Sequence, residues 1–599
     1  MNRKPLLFVA VVLAVSMILS ACSSSKPKPL LIVAMTTPPP GALEINFSTP
    51  LAATVTNDAS GGGVTWTLAC DATDCGTLTA GSSASGDTIG YTAPNNIPST
   101  DADNGGMLLD ITATSATDGT TFATATVVIL GTGSTATLSG QYAFFVSGFD
   151  IAGNPYAAAG SLTFDGGGLV TAGEEDYNNG NGLTSLADTV TGTYSVGGDG
   201  QGTVSLTVSD VNVGVAGVQT LALTIVNPNH ARIIQFDGSA TSSGSLDFQT
   251  FTAGDLSQIS GAYSYAFSGV DAGTSWSIGG DFVSDGAGNL TTLDFDQDIG
   301  GTVNSNTVTG TYSAPDANGR VEVDFGGLSS IFYIVHSEAL RVVVADSEFA
   351  TAGSAFGQGG GAGTFDASAL NGPFVFSDIG EGTLGPFAAA GLLTTDGAGN
   401  LTAGFGDVNE AGSVTNGAIT GTYTVASNGR GTLTLGGGNI QDVANLMVYV
   451  TDPALNLADP NNADGGGGAL LVDLDTEVFA IGALAPQDTT ATFAGNYALG
   501  FQSAFVGADL VGQVFSDGVS NIVGSGSLND LFGTGQTTQS VTGTFTPDAT
   551  NPGRATSTLV FGSVSGTLNI AAYAATSSEI VYVDIDSGFI AAGEVEGQP

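Results

Sequence analysis

Apolar and polar residues alternate with a period of two along most of the chain. Between residues 203 and 208, for example, Val204, Leu206 and Val208 alternate with threonine and serine. This alternation is typical of β-strands with one buried face. No stretch sustains a period of 3.6 residues, so we expect helix to be nearly absent. The pattern predicts an all-β protein.

Four sequence markers recur in one order beyond Ser139, with a period of about 110–120 residues. They are a Gly two residues before an aromatic, an Asp-Gly turn, a Thr-Gly-Thr-aromatic segment and a closing Gln. The Asp-Gly turns begin at Asp165, Asp285, Asp396 and Asp517, and the closing residues are Gln249, Gln358, Gln487 and Gln598. A period this long indicates whole domains, not the coils of a solenoid. We therefore expect four domains like beads on a string, at residues 138–249, 259–358, 370–487 and 493–598.

Each repeat contains eight candidate strands joined in sequence by turns, which favours an up-and-down meander. In the first repeat the candidates start near Gln141 and end near Gln249. Eight such strands can close into a small barrel, which removes the exposed sheet edges that promote aggregation. The organisation broadly resembles small eight-stranded barrels of the avidin and lipocalin type, without a fingerprint of either family. A β-sandwich is the alternative.

The first 41 residues predict export and a lipid anchor. Asn2-Arg3-Lys4 precedes an apolar run from Leu6 to Ala21, which is short for a membrane span but suits a signal peptide. The run ends in Leu19-Ser20-Ala21-Cys22, which resembles the lipobox of bacterial lipoproteins. The resemblance implies cleavage of residues 1–21 and acylation of Cys22, with residues 22–41 as a polar tether. A plain secretory signal is the alternative.

Residues 42–131 predict a separate β domain. Short alternating strands such as Val64-Thr-Trp66-Thr-Leu68 and the segment Tyr91-Thr-Ala-Pro94 resemble bacterial immunoglobulin-like domains, which implies a β-sandwich. Cys70 and Cys75 flank a four-residue loop between two candidate strands. Because an exported protein meets an oxidising compartment, we expect a disulfide here. A metal site would need more ligands than this segment offers.

The charge of the chain excludes one class of partner. Only 9 Lys and Arg stand against 55 Asp and Glu, a formal net charge of −46. Affinity for nucleic acid comes from clustered basic residues, so nucleic-acid binding is excluded. With 42% hydrophobic residues the chain can nevertheless bury substantial cores.

Signals of an enzyme are weak. The chain has only two histidines, His230 and His336, at different places within their repeats. No Gly-x-Ser-x-Gly segment is present, and we expect both histidines to be solvated turn residues. A hydrolase that uses paired acids ranks last, because nothing places two carboxyls across a cleft. We expect no enzymatic activity and no required cofactor.

Recurrent acids and amides suggest a candidate ligand-binding rim at one end of each repeat. Strand geometry places these residues at the end opposite the Asp-Gly turns, where longer and more variable loops gather. At the turn end, Asp396 and its equivalents are candidates to pair with Arg430 and its equivalents, or to remain exposed charges. The candidate rim consists of Asp176, Asn178, Asp237, Asp296, Asp298, Asp346, Asp407, Asn409, Asp475 and Asp586. It would hold Ca²⁺ or a hydroxyl-rich ligand; the alternative is solvated acids that keep an exported protein soluble.

The combined features favour a lipid-anchored binding or adhesion protein at the outer membrane, on its cell-surface or periplasmic face. Four domains on one chain would bind a repetitive ligand, such as a polysaccharide or envelope polymer, with avidity. The alternative is a structural envelope protein whose domains pack laterally in a surface layer. Binding predicts aromatic residues exposed in loops, such as Phe149, Tyr156 and Tyr177. Lateral packing predicts an apolar stripe along the strands.

Overall fold

A computed structural model describes most of the chain. The described residues are 29–39, 42–44, 48–70, 72–94, 107–130, 134–437, 443–462, 465–504, 507–562 and 567–598. The predicted signal peptide and Cys22 lie outside them. Among the residues described, no helix is both long enough and apolar enough to span a membrane.

The N-terminal unit consists of short antiparallel strands in two sheets. One sheet has the order β1-β3-β7-β5, and the other contains β9, β8, β4 and β6 in that order. Trp66, Tyr91 and Ile111 are among its buried residues, as expected of a sandwich. β1 lies within residues 22–41, so this range is not wholly the polar tether that the sequence predicts. The strands are β1 (Ile32–Thr37), β2 (Ala42–Glu44), β3 (Ser48–Thr56), β4 (Val64–Cys70), β5 (Thr77–Leu78), β6 (Ser82–Ser83), β7 (Thr88–Thr92), β8 (Met107–Ser115) and β9 (Phe122–Leu130).

The four repeats form four antiparallel barrels, numbered here in chain order. Barrel 1 contains β10 (Ser139–Asp150), β11 (Pro155–Asp165), β12 (Leu169–Asn178), β13 (Thr184–Val196), β14 (Gln201–Val208), β15 (Val218–Asn227), β16 (His230–Gln235) and β17 (Ala240–Phe248). Barrel 2 contains β18 (Ser260–Asp271), β19 (Thr274–Asp285), β20 (Asn289–Ile299), β21 (Thr302–Tyr312), β22 (Arg320–Phe325), β23 (Leu328–His336), β24 (Ala339–Val344) and β25 (Phe349–Gly357).

Barrels 3 and 4 repeat this order, with one strand of barrel 3 divided in two. Barrel 3 contains β26 (Asn371–Gly382), β27 (Gly385–Asp396), β28 (Asn400–Glu410), β29 (Ser413–Ala418), β30 (Thr420–Val425), β31 (Arg430–Gly436), β32 (Asn445–Val450), β33 (Ala469–Asp473) and β34 (Val478–Pro486). Barrel 4 contains β35 (Ala494–Ser503), β36 (Ala508–Asp517), β37 (Asn521–Asp530), β38 (Gly535–Pro547), β39 (Arg554–Phe561), β40 (Thr567–Thr576), β41 (Glu579–Asp584) and β42 (Ala591–Gly597). Short 3₁₀ turns occur at Ser134–Thr137, Leu256–Gln258, Gly359–Gly361 and Ala367–Ala369.

Each barrel closes because its last strand pairs with its first. In barrel 1, Tyr142 of β10 lies opposite Phe248 of β17, and the other barrels close in the same way. The division of the fourth strand of barrel 3 leaves the barrel closed, since β28 pairs with both halves. The prediction of four eight-stranded meanders is confirmed, and the alternative of sandwiches is wrong for these repeats. Closure pairs the first and last strands of each barrel, which would otherwise be the free edges of the meander.

The barrel interiors are filled by side chains. In barrel 1, Tyr142 packs edge-on against Phe164, with ring centroids 5.5 Å apart. Tyr156 and Tyr177 stack in the same core and are 2% and 9% exposed. They are therefore not loop aromatics offered to a ligand. Barrel 4 keeps a small apolar internal cavity of about 50 Å³, too small for more than a few solvent-sized molecules.

The barrels pack against one another as one compact unit, contrary to the expectation of beads on a string. One buried apolar cluster joins Ala157 of barrel 1, Tyr333 and Val343 of barrel 2, and Met447 and Val472 of barrel 3. A second cluster joins barrel 3 to barrel 4. The outward positions of several strands thus carry the apolar stripe that lateral packing predicts. The packing occurs within a single chain.

The last barrel also contacts the first. Ala222 and Ile234 of barrel 1 pack against Val511 of barrel 4, so the four barrels form a closed ring. Each barrel contacts the next, and the fourth contacts the first.

Candidate functional site

Six of the ten candidate rim residues lie at the junctions between barrels, not in open mouths. Asp176, Asp296 and Asp407 are fully buried, as are Asn178, Asp298 and Asn409. The interpretation of these positions as solvated acids or as a solvent-open rim is therefore wrong. The recurrence of five of the six has a structural cause, because each of these five makes a hydrogen bond to the following barrel.

A repeated ion pair joins successive barrels. Arg320 of barrel 2 donates two hydrogen bonds to Asp176 of barrel 1, at 2.8 and 2.9 Å, and the Tyr333 hydroxyl donates a third at 2.5 Å. Paired guanidinium and carboxylate groups in this fork geometry make strong, directional contacts. The same arrangement joins barrel 2 to barrel 3 and barrel 3 to barrel 4. Its members there are Asp296, Arg430 and Tyr449, and Asp407, Arg554 and Tyr573.

The surroundings of the junction Asp and Tyr side chains set their pKa values. Burial alone would raise the pKa of Asp296, but hydrogen bonds from Arg430, Ser305 and Tyr449 hold it below its ordinary value. Burial raises the pKa of Tyr449 well above its usual range, so its hydroxyl remains a donor. The junction therefore combines one carboxylate, one guanidinium and one neutral phenol. A buried carboxylate with these partners is fully satisfied and offers no free ligand position.

A buried amide makes a second repeated tie at three of the four junctions. The Asn178 amide nitrogen donates to the carbonyl oxygens of Val344 and Asp346 in barrel 2, at 3.0 and 2.7 Å. Asn409 makes equivalent bonds to barrel 4, including those to Asp584 and Asp586. Asn529 of barrel 4 donates to Gln235 and Ala240 of barrel 1 and so repeats the tie across the closing junction.

The second junction departs from this pattern because Asp298 replaces the asparagine. A carboxylate has no N–H to donate, and Asp298 Oδ2 has no hydrogen-bond partner among the described residues. Burial raises the pKa of Asp298 and, more strongly, the pKa of Asp473 in barrel 3, which Asp378, Asp475 and Asp298 raise further. In the described part of the chain, no group of three or more His, Cys, Asp or Glu side chains is placed so that it could hold a metal ion.

The remaining rim acids cap strands within their own barrels. Each is half-buried and accepts a hydrogen bond from a backbone N–H near the start of the sixth strand. Asp237 accepts from Thr220 at 2.9 Å, and Asp586 accepts from Asn569 at 2.7 Å. Asp346 and Asp475 accept in the same way from Ser329 and Asn445. These acids therefore hold the barrel ends together.

The closing glutamine of every repeat reaches a backbone carbonyl of the next barrel. Gln249 donates to Ile334 at 2.7 Å, and Gln598 donates to Ile225 of barrel 1 at 2.6 Å. Gln358 and Gln487 make the equivalent bonds to Asn428 and Ala574. The closing Gln therefore makes the same inter-barrel hydrogen bond at all four junctions, including the one between barrels 4 and 1.

The closing junction lacks the Asp–Arg–Tyr set. Gln201 and Thr224 occupy the paired positions that Arg320 and Tyr333 occupy in barrel 2. Gln201 donates to Ser525 of barrel 4 at 2.7 Å. In barrel 4, Ser527 lies two residues before Asn529, as Asp176 lies two residues before Asn178. Both charged partners are therefore absent at this junction, which leaves no unpaired charge.

A different charged network lies at the centre of the ring. Asp247 of barrel 1 accepts from His230 Nδ1 and from Arg341 of barrel 2, each at 2.8 Å. His230 Nε2 also lies 3.3 Å from Glu596 of barrel 4, which pairs with Arg232. The network links three barrels. His230 is buried, so its expected position in a solvated turn is wrong.

Charge raises the pKa of His230 far above its ordinary value. Burial alone would lower the pKa, but Glu596 and Asp247 raise it to about 10. Burial would raise the pKa of Glu596, but Arg232 and His230 lower it to about 2. The pair is therefore ionised across the physiological range. The histidine serves as a fixed cation and offers no base near neutral pH.

One long loop of barrel 3 contacts all three other barrels. The connection between β32 and β33 runs from Thr451 to Gly468, whereas the equivalent connections in the other barrels are tight turns. Asn461 donates to Phe248 of barrel 1, the Pro460 carbonyl accepts from His336 of barrel 2, and Asn456 donates to Glu579 of barrel 4. His336 is thereby half-buried against this loop and is not a freely solvated turn residue.

An axial cavity of about 270 Å³ lies between the barrels, and all four contribute to its wall. It is lined mainly by the first, seventh and eighth strands of the barrels and by Leu457 and Ala458 of the long loop. A neighbouring cavity of about 160 Å³ shares Phe145, Ser147 and Gln502 with it, so the two adjoin each other. We call this combined space the axial cavity.

The other predicted site residues are placed as follows. Asp396 caps its own turn by accepting from Ala398, Asn400 and the Asn400 side chain, so it does not pair with Arg430. Cys70 and Cys75 are joined by a disulfide with their Cα atoms 5.8 Å apart. Cys22 lies outside the described residues.

The buried acids predict that the barrels lose stability as pH rises. Burial raises the pKa of Glu175 to about 8, that of Asp509 to about 7 and that of Asp584 to about 8. A carboxyl whose folded pKa exceeds its unfolded value contributes stability at low pH that is lost as pH rises through the folded pKa. His230 acts in the same direction up to about pH 10. The low pKa of Glu596 acts oppositely, with loss only in acid.

We therefore expect the melting temperature of the barrels to be highest near about pH 5 and to fall by several degrees at about pH 9. Calorimetry across this range measures the effect. The Glu175→Gln variant keeps an oxygen that can accept the bond from Gln219 but does not titrate, so its profile should be flatter. A wild-type melting temperature that is unchanged or rises between these pH values would contradict the assignment.

Comparisons with known proteins do not identify a family. No family model matches the chain, and no curated protein matches it. Among solved structures, kievitone hydratase from Nectria haematococca matches with a TM-score of 0.18 and 11% identity, over 38% of this chain and 89% of that one. Isotype 1 transferrin binding protein B from serogroup B Neisseria meningitidis matches with a TM-score of 0.13 and 8% identity, over 65% and 73% of the two chains. Likenesses this slight support no inference about function.

Proposed function

We propose that this protein is a non-enzymatic, lipid-anchored structural component of the bacterial cell envelope. Its four barrels would act as one rigid body, attached through Cys22 at the start of the mature chain. One observation carries the proposal: the polar residues that recur between repeats are used to join barrels. Asp176, Arg320 and Gln249 exemplify ties made at successive junctions. Recurrent side chains that join neighbouring barrels support a rigid structural role and do not support four separate binding sites.

The multivalent array is less well supported than the structural role. Avidity requires several equivalent sites that a repetitive ligand can reach together. The candidate rim residues are buried at junctions or cap strands, and the barrel cores are filled. These residues therefore do not provide four equivalent, accessible binding sites. A binding role for a polysaccharide or another envelope component is the second candidate, favoured by the axial cavity.

Limited proteolysis of the purified full chain tests the rigid body. Proteinase K suits the test, because cleavage depends on local opening more than on the scarce basic residues. We expect a resistant fragment that contains all four barrels, since opening one barrel would break ties to two others. Fragments of one barrel each, about 110–120 residues long, would overturn the proposal.

Fractionation of cells tests the anchor. The wild-type chain should be recovered with membranes and should carry an added acyl mass at its N-terminus. Cys22→Ser should lose that mass and move to the soluble extracytoplasmic fraction, because removing the acyl chains removes the hydrophobic attachment. Recovery of Cys22→Ser with membranes, in the same amount as wild type, would contradict lipid anchoring.

A further inference from the structure

We propose that the axial cavity binds a small, neutral, hydroxyl-rich molecule about the size of one sugar ring. Its larger part, about 270 Å³, lies near the lower end of the roughly 300–1,000 Å³ typical of small-molecule pockets. Its walls come from all four barrels, so the site exists only in the closed ring. This inference goes beyond the structural role and does not depend on the lipid anchor.

Four polar side chains without internal partners line the axial cavity. Ser147, Ser268, Ser377 and Gln502 come from the first strand of barrels 1, 2, 3 and 4. Each is half-buried, and none of these side chains has a hydrogen-bond partner among the described residues. Hydroxyl and amide groups both donate and accept, which matches the hydroxyls of a sugar or polyol. Four converging groups from four barrels can fix the orientation of such a ligand.

Both guanidinium groups at the wall are already paired, and the acid Glu579 there accepts a hydrogen bond from Asn456. Arg341 pairs with Asp247 and donates to Ser354 at 2.7 Å, while its guanidinium lies 4.8 Å from the centre of the Phe145 ring. Arg232 pairs with Glu594 and Glu596. An anionic ligand would have to compete with these carboxylates for the guanidinium groups. The cavity therefore favours a neutral ligand over a phosphate or a carboxylate.

The remaining wall is apolar and suits the C–H faces of a sugar ring. Val375 and Ile379 of barrel 3, Leu470 beside them and Val581 of barrel 4 lie around the polar positions. Pockets for small ligands commonly combine such apolar walls with a few placed polar groups. Leu457 of the long loop also contributes, so the loop covers part of the site. A fully charged or fully apolar ligand would leave one half of this wall unmatched.

Saturation-transfer NMR on the purified full chain tests the proposal. The probes are D-glucose, D-galactose, N-acetyl-D-glucosamine and glycerol at millimolar concentration, with sodium benzoate and sodium acetate, which also carry C–H protons, as charged comparisons. We expect saturation transfer to at least one of the neutral probes and much less to the charged compounds. Ser268→Leu with Gln502→Leu should abolish the signal, because the leucines fill the cavity and remove two hydrogen-bonding groups.

Two further variants keep the test decisive. Ser268→Ala with Gln502→Ala removes the polar groups without filling the space, and should weaken binding at least about tenfold, the effect of losing roughly 1.4 kcal/mol. Ser205→Leu, on an exposed position of β14, should bind as wild type does. Absence of transfer to every neutral probe in the wild-type chain, or equal transfer in wild type and both cavity variants, would overturn the proposal. Either result would leave the rigid ring and its lipid anchor untouched.

Discussion

Arg554→Met is expected to destabilise the four barrels by about 3–5 kcal/mol. The substitution leaves the buried carboxylate of Asp407 without its cation, and breaking a buried ion pair by removing one partner costs about this much. Asp407→Leu should also be destabilising, since it leaves the guanidinium with only one carboxylate contact, to the partly exposed Asp548 at 3.2 Å. The free energy of unfolding, measured by urea denaturation followed by circular dichroism, gives both values.

Combining the two substitutions should recover most of the loss. Asp407→Leu with Arg554→Met replaces the pair by apolar groups, and such replacements are often close to neutral. Glu322→Gln is a suitable control, because Glu322 pairs with Arg320 while its side chain is 70% exposed, and exposed pairs contribute about 0–1 kcal/mol. If each single variant costs no more than the control, the junction ion pair does not stabilise the ring.

Asp247→Asn is expected to have a comparable effect at the centre of the ring. Asp247 is fully buried and accepts from His230, Arg341 and Ser245, so its replacement leaves two cations with one fewer carboxylate. We expect a loss of about 3–5 kcal/mol in the free energy of unfolding. The variant should also lower the pKa of His230, because one of the two acids that raise it is gone.

The pH dependence separates this electrostatic role from a merely steric one. With a lower folded pKa, the stability contributed by His230 should be lost at a lower pH than in wild type. Calorimetry between about pH 6 and 10 measures the shift. An unchanged alkaline profile in Asp247→Asn, together with normal stability, would contradict the network.

The sequence was sufficient to predict the local fold. Alternation at Val204, Leu206 and Val208 reflects the two faces of a strand, a local property that needs no knowledge of distant contacts. The turn signal of Asp165 is equally local, since its carboxylate accepts from Gly167 and Leu169. Eight strands and their order in each repeat follow from such patterns. Closure into barrels is the solution that satisfies both edges of the meander.

The prediction for the recurrent acids is wrong because it considers each repeat in isolation. Asp176 pairs with Arg320 of the next repeat, 144 residues away along the chain. Burial against another domain cannot be recognised from a single repeat, where a recurrent acid and a recurrent binding residue look alike. The same omission led to the prediction of solvated turn histidines, although His230 contacts carboxylates from its own barrel and from barrel 4.

One signal in the sequence did point to the ring. The Arg of the fifth strand is present in repeats 2, 3 and 4 but is Gln201 in repeat 1. The buried Asp is present in repeats 1, 2 and 3 but is replaced in repeat 4, where Ser527 stands before Asn529. If barrel 4 packs against barrel 1, the missing Asp and the missing Arg fall at the same junction. Read together, they predict a closing junction in which both charges are removed.

The closure of the ring is the central claim, and a cysteine pair across the junction between barrels 4 and 1 tests it most directly. Gln201 and Ser525 make a hydrogen bond of 2.7 Å there. In a Cys22→Ser background, Gln201→Cys with Ser525→Cys should form an intrachain cross-link with a short bismaleimide, found by mass spectrometry after digestion. The reagent spans the gap that the shortened side chain at position 201 leaves, which is too wide for a direct disulfide. The matched pair Gln201→Cys with Val519→Cys, whose second site is 73% exposed at a turn of barrel 4, should not form this cross-link. An intrachain bridge in the first pair alone is the predicted result; its absence, or formation only between chains, would contradict the closed ring.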